Sequence, residues 1–360
     1  MKIVIFGLTI SSSWGNGHAT VWRSLCGQLI RRGHDVVFFE RDVPYYAAHR
    51  DVSAINGGGL RLYKSWNDIV DLAEQELRDA DVAIVTSYCP DALAAFDMLS
   101  FSPALRLFYD LDAPITMARL RAGEAVPYVP PNGLGEFDLV LSFTGGAALD
   151  ALKTDLGAKK VAPLYGSVDP EVHRRVPPKE AYHASLSYLG TYSQDRQCAL
   201  HDLFIEPARR SPADRFVMGG AQYPAEFPWT QNIFFVQHLP PSEHPSFFSS
   251  SRLTLNVTRA AMRDMGWCPS GRLFEAAACG VPILTDSWNG IDEFFTPESE
   301  ILIASSAEDV LAALELSDAQ LCRIAHAARD RVLADHTGLQ RAKQFEEIIG
   351  NFHTRKLVAT

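Results

Sequence analysis

The 360-residue sequence lacks several features that would define its class at once. No apolar run reaches the ~18 residues of a membrane-spanning helix, and the six cysteines form no C-x-x-C pair. A disulfide framework and a zinc site are therefore not indicated, and we expect free thiols in a reducing cytoplasm. The apolar start at Ile3–Ile10 lacks the flanks of a signal peptide, so we interpret it as a buried strand.

Positive charge is also scarce, since 33 Lys and Arg face 43 Asp and Glu and the net charge is −10. A nucleic-acid-binding surface needs a broad basic field, so we expect no nucleic-acid partner. A local basic pocket for phosphates is compatible with this charge, and peripheral contact with a membrane stays open. With 47% hydrophobic and 21% charged residues, the chain is not disordered.

Short apolar runs alternate with amphipathic stretches along most of the chain, which is typical of βα units and a parallel sheet. The first pair predicts a buried strand over Lys2–Leu8 and a helix over His18–Arg32. The other predicted strands are Val36–Phe39, Val82–Thr86, Leu105–Tyr109, Leu139–Phe143, Lys160–Ala162, Leu186–Leu189, Arg215–Met218, Ile233–Val236, Leu253–Val257, Val281–Leu284 and Ile301–Ile303. The last predicted helices are Asp309–Leu316, which a capping-box pattern at Ser305 and Glu308 precedes, Asp318–Ala334 and Gly338–Phe352.

The alternation breaks once, at residues 164–178, where Gly, Pro and charged residues indicate a linker. We therefore predict an α/β fold with two doubly wound Rossmann-like domains, residues 1–168 and 179–335, that face a central cleft. Residues 336–360 are predicted to form a C-terminal helix that crosses back to the first domain. Ligands of such sheets bind beyond the carboxyl ends of the strands, so the cleft is the expected site.

A polar loop containing Trp14, Gly15, Asn16 and Gly17 joins the first strand to the first helix. Its glycines let the backbone approach a ligand, and the N-terminus of the helix behind it favours an anion. The glycine spacing departs from G-x-G-x-x-G, so a nicotinamide cofactor is not expected. His18, on the first turn, is predicted to act as a general base or as a hydrogen-bond donor to substrate. The alternative is a histidine that caps the helix.

The most specific segment runs from Ser270 to Glu293. Ser270 and Gly271 begin a predicted helix whose free amides suit a phosphate, and Arg272 adds positive charge at the same end. Glu275 follows one turn later, at the exposed edge of an otherwise apolar helix. A carboxylate there can accept hydrogen bonds from two sugar hydroxyls. The alternative is an ordinary surface Glu, which the few polar positions of this helix disfavour.

This segment resembles the nucleotide-sugar-binding motif of two-domain (GT-B) glycosyltransferases. Its matching positions relative to the large retaining family are Glu275, Gly280, Pro282, Gly290 and Glu293. Over most of the chain the closer resemblance is to the bacterial glycosyltransferase-like group named after the spore-maturation protein CgeB. The matching phrases are Asp110–Thr116, Ser142–Gly146 with Thr144 and Gly145, Leu255–Arg259 and Arg272–Glu275.

The resemblance implies transfer of a sugar from a nucleotide-diphosphate-sugar to a small-molecule, glycan, lipid or protein acceptor. UDP, GDP and dTDP donors all stay open, and no cofactor and no metal are implied. Glu275 would bind the donor ribose, and the main chain of His238 and Leu239 would contact the base. The residues implied to lie on the diphosphate or elsewhere on the donor side are Arg196, Arg259, Ser270, Gly271, Arg272, Asn289 and Gly290.

One position departs from the retaining motif. Its first Glu, a contact to the donor sugar, is replaced here by Trp267. The identity of the sugar and the retaining or inverting outcome therefore stay open.

The Asp110–Asp112 pair forms a D-x-D pattern, which can hold a divalent ion on a nucleotide-sugar. In enzymes of the resembled kind, positive side chains and helix ends replace that ion. We therefore interpret this pair as carboxylates that orient the acceptor or act as the base, with capping of the turn before Pro114 as the alternative.

Three tryptophans, Trp14, Trp267 and Trp288, fall in loops predicted to line the cleft, as do Thr144 and Gly145. Sugars and bases stack on indole rings, although core packing is the alternative for each one. Two other functions fit the same motif: a nucleotide-sugar epimerase or hydrolase, and a non-catalytic sugar-nucleotide-binding protein. His18 and the two aspartates favour an enzyme.

Overall fold

The computed structural model describes residues 1–358 and divides into two compact units. Unit 1 comprises Met1–Ser167 together with the segment that begins at Gly338, and unit 2 is Val168–Thr337. Each unit is built on one parallel β-sheet. The fold class predicted from the alternation of apolar runs, two doubly wound α/β sheets, is thus confirmed.

The sheet of unit 1 has strands β1 (Lys2–Gly7), β2 (Asp35–Arg41), β3 (Gly59–Tyr63), β4 (Val82–Thr86), β5 (Leu105–Asp110), β6 (Leu139–Ser142) and β7 (Val161–Pro163). Their order is β3-β2-β1-β4-β5-β6-β7. The central strands are continuous apolar runs because both faces of a parallel sheet are covered. The order reverses between β1 and β4, and a ligand crevice is expected at the carboxyl ends of these two strands.

The sheet of unit 2 has strands β8 (Ala184–Leu189), β9 (Phe216–Gly220), β10 (Ile233–Gln237), β11 (Ser251–Asn256), β12 (Ile283–Thr285) and β13 (Leu302–Ile303). Their order is β10-β9-β8-β11-β12-β13, all pairs being parallel. Here the order reverses between β8 and β11. The corresponding crevice therefore lies beyond Leu189 and Asn256.

The helices connect these strands. Those of unit 1 are α1 (His18–Arg31), α2 (Pro44–Ala47), α3 (Val70–Leu77), α4 (Ala92–Leu99), α5 (Ala113–Arg121) and α6 (Ala147–Thr154). Unit 2 contains α7 (Gln197–Leu200), α8 (Glu206–Arg210), α9 (His244–Ser249), α10 (Ala260–Met265), α11 (Gly271–Ala278), α12 (Ala307–Leu314) and α13 (Asp318–Asp335). A π-helical turn, His201–Ile205, joins α7 to α8. The last helix, α14 (Gly338–Val358), packs on α1 of unit 1. Among the described residues, no helix combines the length and the apolar character that crossing a bilayer requires.

All predicted strands are present, with their ends displaced by at most two residues. The sequence missed β3, because this edge strand is short and only Tyr63 in it is buried. The predicted capping box was wrong by one residue. The Asp309 amide donates to Ser306 Oγ at 3.2 Å, and the Ser306 amide donates to Asp309 Oδ2 at 3.0 Å. Glu308 instead forms an ion pair with Arg210 at 2.5 Å.

Candidate functional site

Polar side chains of unit 1 gather where the strand order reverses. His18, on the first turn of α1, is only 8% exposed, and its Nε2 lies 3.6 Å from Asp112 Oδ2. Tyr88 follows β4 and contacts the His18 ring edge-on, with 5.5 Å between ring centroids. Its φ of +62° is a strained value for a tyrosine, and such strain is concentrated at functional sites. The structure therefore brings two of the predicted residues, His18 and Asp112, together.

Asp112 occupies the N-cap position of α5, but its side chain makes no capping hydrogen bond to that helix. The carboxylate is directed at His18 instead. Among the residues that the structure describes, His18 Nδ1 is buried and has no hydrogen-bond partner. The Asp112 carboxylate can therefore orient the imidazole from the Nε2 side, while Nδ1 on the other side stays without a hydrogen-bond partner in the described residues.

Asp110 ends β5 and is fully buried. One of its oxygens, Oδ1, accepts a hydrogen bond from the Asp112 amide at 2.9 Å, which is the turn-capping role considered from the sequence. The other, Oδ2, is buried and has no partner within residues 1–358. Burial raises the pKa of Asp110 to about 6, and the bond from the Asp112 amide only partly opposes this effect.

The loop before α1 does not form the anion site expected from its glycines. Asn16 Oδ1 accepts hydrogen bonds from the amides of His18, at 3.0 Å, and Ala19, at 3.2 Å. The expectation was wrong because a side chain of the loop itself occupies the N-terminus of the helix. Gly15 has φ +64°, and Gly17 is exposed.

A buried carboxylate that sequence reasoning missed holds this loop. Glu40, at the end of β2, is fully buried. It accepts hydrogen bonds from Thr9 Oγ1 at 2.9 Å, from the Ile10 amide at 2.7 Å and from the Ser11 amide at 2.9 Å. The only signal in the sequence was an acidic residue directly after an apolar run. Such a residue ordinarily indicates a strand end in solvent.

Several predicted loop residues of unit 1 are placed differently from what was expected. Thr144 and Gly145 are buried behind β6, where the Thr144 amide donates to Ser142 Oγ at 3.1 Å, so neither lines an open loop. Trp14 is half-buried and stacks on His49 with 3.8 Å between ring centroids. One face of its indole is therefore already covered by the protein.

In unit 2, two guanidinium groups converge on the crevice at the end of β8. Arg272 lies in the first turn of α11, and burial together with the neighbouring charge of Arg196 lowers its pKa. Arg196 Nε is buried and has no hydrogen-bond partner among the described residues, whereas its Nη1 donates to the Thr191 carbonyl at 3.3 Å. Glu275 and Asp195 offset part of this positive charge, but two guanidinium groups held close together still favour binding of an anion.

The N-terminus of α11 lies beside these arginines and is open. Ser270 is the N-cap residue, but its side chain makes no capping hydrogen bond. In the described part of the chain, the amides of Gly271 and Arg272 donate no hydrogen bond to any acceptor. The positive end of the helix dipole and the two guanidinium groups thus act in the same direction.

Arg259, a further predicted donor-side residue, follows β11. Its Nε donates to Asp195 Oδ2 at 3.2 Å, and Asp195 belongs to the loop after β8. This ion pair links the segments that follow β8 and β11, the two strands between which the order reverses. Burial opposes ionisation of Asp195, but the Ser193 hydroxyl and Arg259 outweigh it and lower the pKa of the carboxyl.

Glu275 is not the lone carboxylate at an exposed edge that the sequence predicts. Its side chain is 13% exposed, and its Oε2 lies 3.9 Å from His173 Nε2 and 3.6 Å from His244 Nδ1. Burial alone would raise its pKa, but the two imidazoles and Arg272 lower it to about 2. The carboxylate is therefore charged throughout the physiological range.

Residues 196–347 match a protein family described as "Glycosyl transferase-like". The matched residues all lie in the second half of the chain. This match supports glycosyl transfer from a nucleotide-sugar to an acceptor that is not identified. No curated protein sequence matches the chain significantly.

Solved structures resemble the whole chain at low sequence identity. Sucrose-phosphate synthase from Thermosynechococcus elongatus has a TM-score of 0.69 at 13% identity, with 100% of both chains covered. Anabaena HepE in complex with UDP and glucose has 0.69 at 12%, with 98% of this chain and 100% of that one covered. An alpha-glucosyltransferase in complex with UDP-glucose and DNA has 0.71 at 14%, with 97% and 99% covered. The fold is therefore that of the GT-B glycosyltransferases.

The presence of DNA in one of these complexes bears on an expectation drawn from charge. The net charge of −10 was taken to exclude a nucleic-acid partner. Because a protein of the same fold is found with DNA, this exclusion is not supported. Net charge describes the average surface and says little about the local surface around an acceptor site.

Within the matched residues, Trp267, which the sequence comparison aligned with the first Glu of the retaining motif, is tightly held. Its amide donates to the Asn289 carbonyl at 2.7 Å, and its indole Nε1 donates to Glu293 Oε1 at 2.6 Å. Gly290 has φ +84°, and a Cβ there would lie 2.4 Å from Trp267 Nε1. This position thus requires glycine, and the structure brings Trp267, Asn289 and Gly290 together.

The remaining predicted residues of unit 2 lie in the loop after β10 and at Trp288. His238, with φ +49°, donates its amide to the Gly220 carbonyl at 2.7 Å, and the side chain of Leu239 is buried. Trp288 is 5% exposed and packs against Phe294. The expectation that it lines an open loop was wrong, because the alternative, core packing, holds for this ring.

Two histidines of the site, His173 and His244, were missed by sequence reasoning. His173 lies in the segment interpreted as a linker, and His244 is the first residue of α9, a helix that was not predicted. Neither belongs to a periodic pattern. A histidine among Gly, Pro and charged residues would have been the only available signal.

Proposed function

We propose that the chain is a glycosyltransferase whose unit 2 binds the nucleotide diphosphate of a nucleotide-sugar. The observation that carries this proposal is the convergence of Arg196, Arg272 and the uncapped N-terminus of α11, with Glu275 one turn further along. This arrangement offers positive charge and amide donors to a diphosphate. It also offers a charged acceptor to hydroxyl groups.

The two guanidinium groups and the amides of Gly271 and Arg272 would offset the charge that builds up on the leaving diphosphate. Groups fixed in advance in a water-poor site do this without reorganisation. We therefore propose that no divalent ion is needed on the diphosphate, and that the Asp110–Asp112 pair is not a metal site. Chelation with EDTA should leave turnover unchanged. Loss of turnover that Mg²⁺ or Mn²⁺ restores would overturn this proposal.

On unit 1, His18 is proposed as the base that removes the proton from the acceptor hydroxyl. Its Nε2 faces Asp112 at 3.6 Å, so Asp112 would hold the ring and stabilise the imidazolium that forms. Nδ1, which has no partner in the described part of the chain, would take the proton. Asp110 is the alternative base, because its Oδ2 is also unpartnered.

Finer assignments extend the proposal. We assign the chain to the CgeB-like group on the matching phrases around Asp110, Thr144, Arg259 and Arg272. UDP is the nucleotide to test first, because solved relatives of the fold are named as complexes with UDP. A cytoplasmic location is supported by the six cysteines, which are all free thiols. The acceptor class is left to experiment, nucleic acid included.

Binding to UDP, GDP and dTDP by calorimetry tests the donor site. Glu275→Ala should weaken binding of the correct nucleotide by ~10–100-fold, because hydrogen bonds to a charged group contribute ~1.5–3 kcal/mol each before water replaces them. A variant of an exposed carboxylate of the same unit, Glu226→Ala, serves as the control. Unchanged affinity in Glu275→Ala would show that the donor site is misplaced.

Turnover assays separate the alternative functions. Release of nucleotide from the sugar donor should depend on an added acceptor. Donor consumption without acceptor would identify a hydrolase or an epimerase. Nucleotide binding with no turnover under any condition would indicate a non-catalytic binding protein.

A further inference from the structure

We propose that His173 is a further donor-binding residue, which contacts the ribose diol of the nucleotide together with Glu275, while His244 orients the Glu275 carboxylate. The inference rests on the proposed function. It adds a residue of unit 2 that no motif assigns to the site.

The starting observation is an imidazole without partners. His173 is 6% exposed, and neither of its ring nitrogens makes a hydrogen bond within residues 1–358. Its Nε2 lies 3.9 Å from Glu275 Oε2, too far for a direct hydrogen bond. Leaving a buried polar group unsatisfied is unfavourable, because the group has lost its hydrogen bonds to water. A bound ligand that supplies the missing partner would recover this free energy.

The chemistry of the two groups is complementary to a hydroxyl. Burial lowers the pKa of His173, so the ring is neutral at pH 7 and carries one N–H donor. Glu275 is ionised and only accepts. Each ribose hydroxyl can both donate and accept a hydrogen bond. Its O–H can therefore donate to the Glu275 carboxylate while its oxygen accepts from the His173 N–H. A carboxylate alone could not satisfy both capacities of the hydroxyl.

His244 has a different role, because it approaches the same carboxylate oxygen from α9. Its Nδ1 is buried and lies 3.6 Å from Glu275 Oε2. This separation is too long for a hydrogen bond, so His244 acts on the carboxylate through electrostatic attraction and packing. Since Arg272 and the two imidazoles surround the group, the carboxylate keeps both its charge and its orientation.

A metal ion is the competing occupant, since His173, His244 and Glu275 have ligand atoms within 4.8 Å of one another. Two observations favour the sugar. Metal-bound imidazoles almost always donate their other ring nitrogen to an outer acceptor, and His173 Nδ1 has no such partner within residues 1–358. The neighbouring guanidinium of Arg272 also repels a cation.

Calorimetry with UDP and with 2′,3′-dideoxy-UDP tests the inference. His173→Phe keeps the bulk of the ring but removes the donor. It should weaken UDP binding by ~5–30-fold, the value of one hydrogen bond of ~1–2 kcal/mol. Binding of the dideoxy nucleotide should be the same in wild type and variant. His173→Gln, which retains an N–H donor, should recover most of the UDP affinity.

A matched control is His336→Phe, since His336 is also 6% exposed and lies in the same unit. Its UDP affinity should equal that of wild type. UDP affinity equal to wild type in His173→Phe, with Glu275→Ala still weakened, would overturn the inference and leave the proposed function intact. Wild-type affinity in both variants would overturn both. Stoichiometric binding of Zn²⁺ or Mn²⁺ that His173→Phe abolishes, with no effect on UDP, would overturn the inference in favour of a metal site.

Discussion

The N-termini of α1 and α11 look alike in the sequence and differ in the structure. Each follows a loop rich in small or polar residues, and each was predicted to favour an anion. At α1 the Asn16 side chain accepts hydrogen bonds from two amides of the first turn. At α11 the Ser270 side chain accepts none, and Arg272 and Arg196 add positive charge beside the open amides.

The difference teaches that a helix end becomes a ligand site only when the protein leaves it unsatisfied. Amides that a side chain of the same chain already caps have little to gain from an anion. Amides without a partner that lie beside two positively charged guanidinium groups gain much more from binding an anion. The α1 end therefore serves to position His18, whereas the α11 end is suited to hold a diphosphate.

Replacing His18 should have the largest effect. If this residue is the base, His18→Ala should lower kcat by ~10²–10⁴, and UDP affinity should stay near that of wild type because unit 2 binds the nucleotide. Steady-state kinetics and calorimetry measure the two quantities. His34→Ala, which removes another histidine of unit 1, is the control and should keep kcat. An unchanged kcat in His18→Ala would return α1 to a purely structural role.

Removing one guanidinium should selectively weaken the binding of UDP at the N-terminus of α11. Arg272→Met keeps the aliphatic part of the side chain but loses the charge, so UDP affinity should fall by ~10–100-fold. Arg263→Met, at an exposed position of α10, should bind UDP like wild type. The loss in Arg272→Met should also shrink as salt is added, because ions screen the lost attraction. Equal affinity in both variants would mean that the diphosphate binds elsewhere.

Asp110 should produce a pH dependence of opposite sign in activity and stability. Because its pKa is about 6, a reaction that needs the ionised form should lose kcat/KM about tenfold per pH unit below pH 6. The folded pKa lies above the unfolded value of 3.8, so ionised Asp110 lowers stability above pH 6, an effect that disappears as the pH falls towards 3.8. If Asp110 rather than His18 is the base, Asp110→Asn should lose activity, and in either case its melting temperature at pH 7 should rise. A wild-type rate profile without a limb near pH 6 would remove Asp110 from the reaction.

Two capping variants should give the smallest effects and the most direct test of the comparison. Asn16→Ala removes a cap and should lower the free energy of unfolding by ~1 kcal/mol. Ser270→Ala removes no capping bond and should leave stability unchanged. Neither should change UDP affinity strongly, because the amides of α11 stay open in both. Equal destabilisation by the two substitutions would contradict the assignment of one capped and one open helix end. Denaturant unfolding of the whole chain supplies both values.

Much of the fold could be predicted, because its determinants are local. Apolar runs such as Ile3–Phe6 and Val82–Val85 are buried in parallel sheets, and nearly every strand was placed within two residues. The exception, β3, has one buried residue and depends on pairing with β2 rather than on its own apolar character. The donor motif around Arg272 and Glu275 could also be predicted, because its spacing follows one helix.

What surrounds those residues could not be predicted, because it comes from distant parts of the chain. Glu275 was expected alone at an exposed edge, yet it lies beside His173, 102 positions earlier, and His244, which begins a different helix. Trp288 was assigned to an open loop, although Phe294 and the core cover it.

The sequence by itself determined the parallel α/β architecture, the helix that carries Ser270, Arg272 and Glu275, and the position of His18 on a first turn. Periodicity and spacing are sufficient for these, since they act over a few residues. Only the tertiary structure decided which polar groups are satisfied and which are left open. Asn16 closes one helix end and no side chain closes the other, and His173 reaches Glu275 without a partner of its own. Hydrogen bonding and desolvation depend on neighbours in space, and these neighbours are set by the packing of the folded chain.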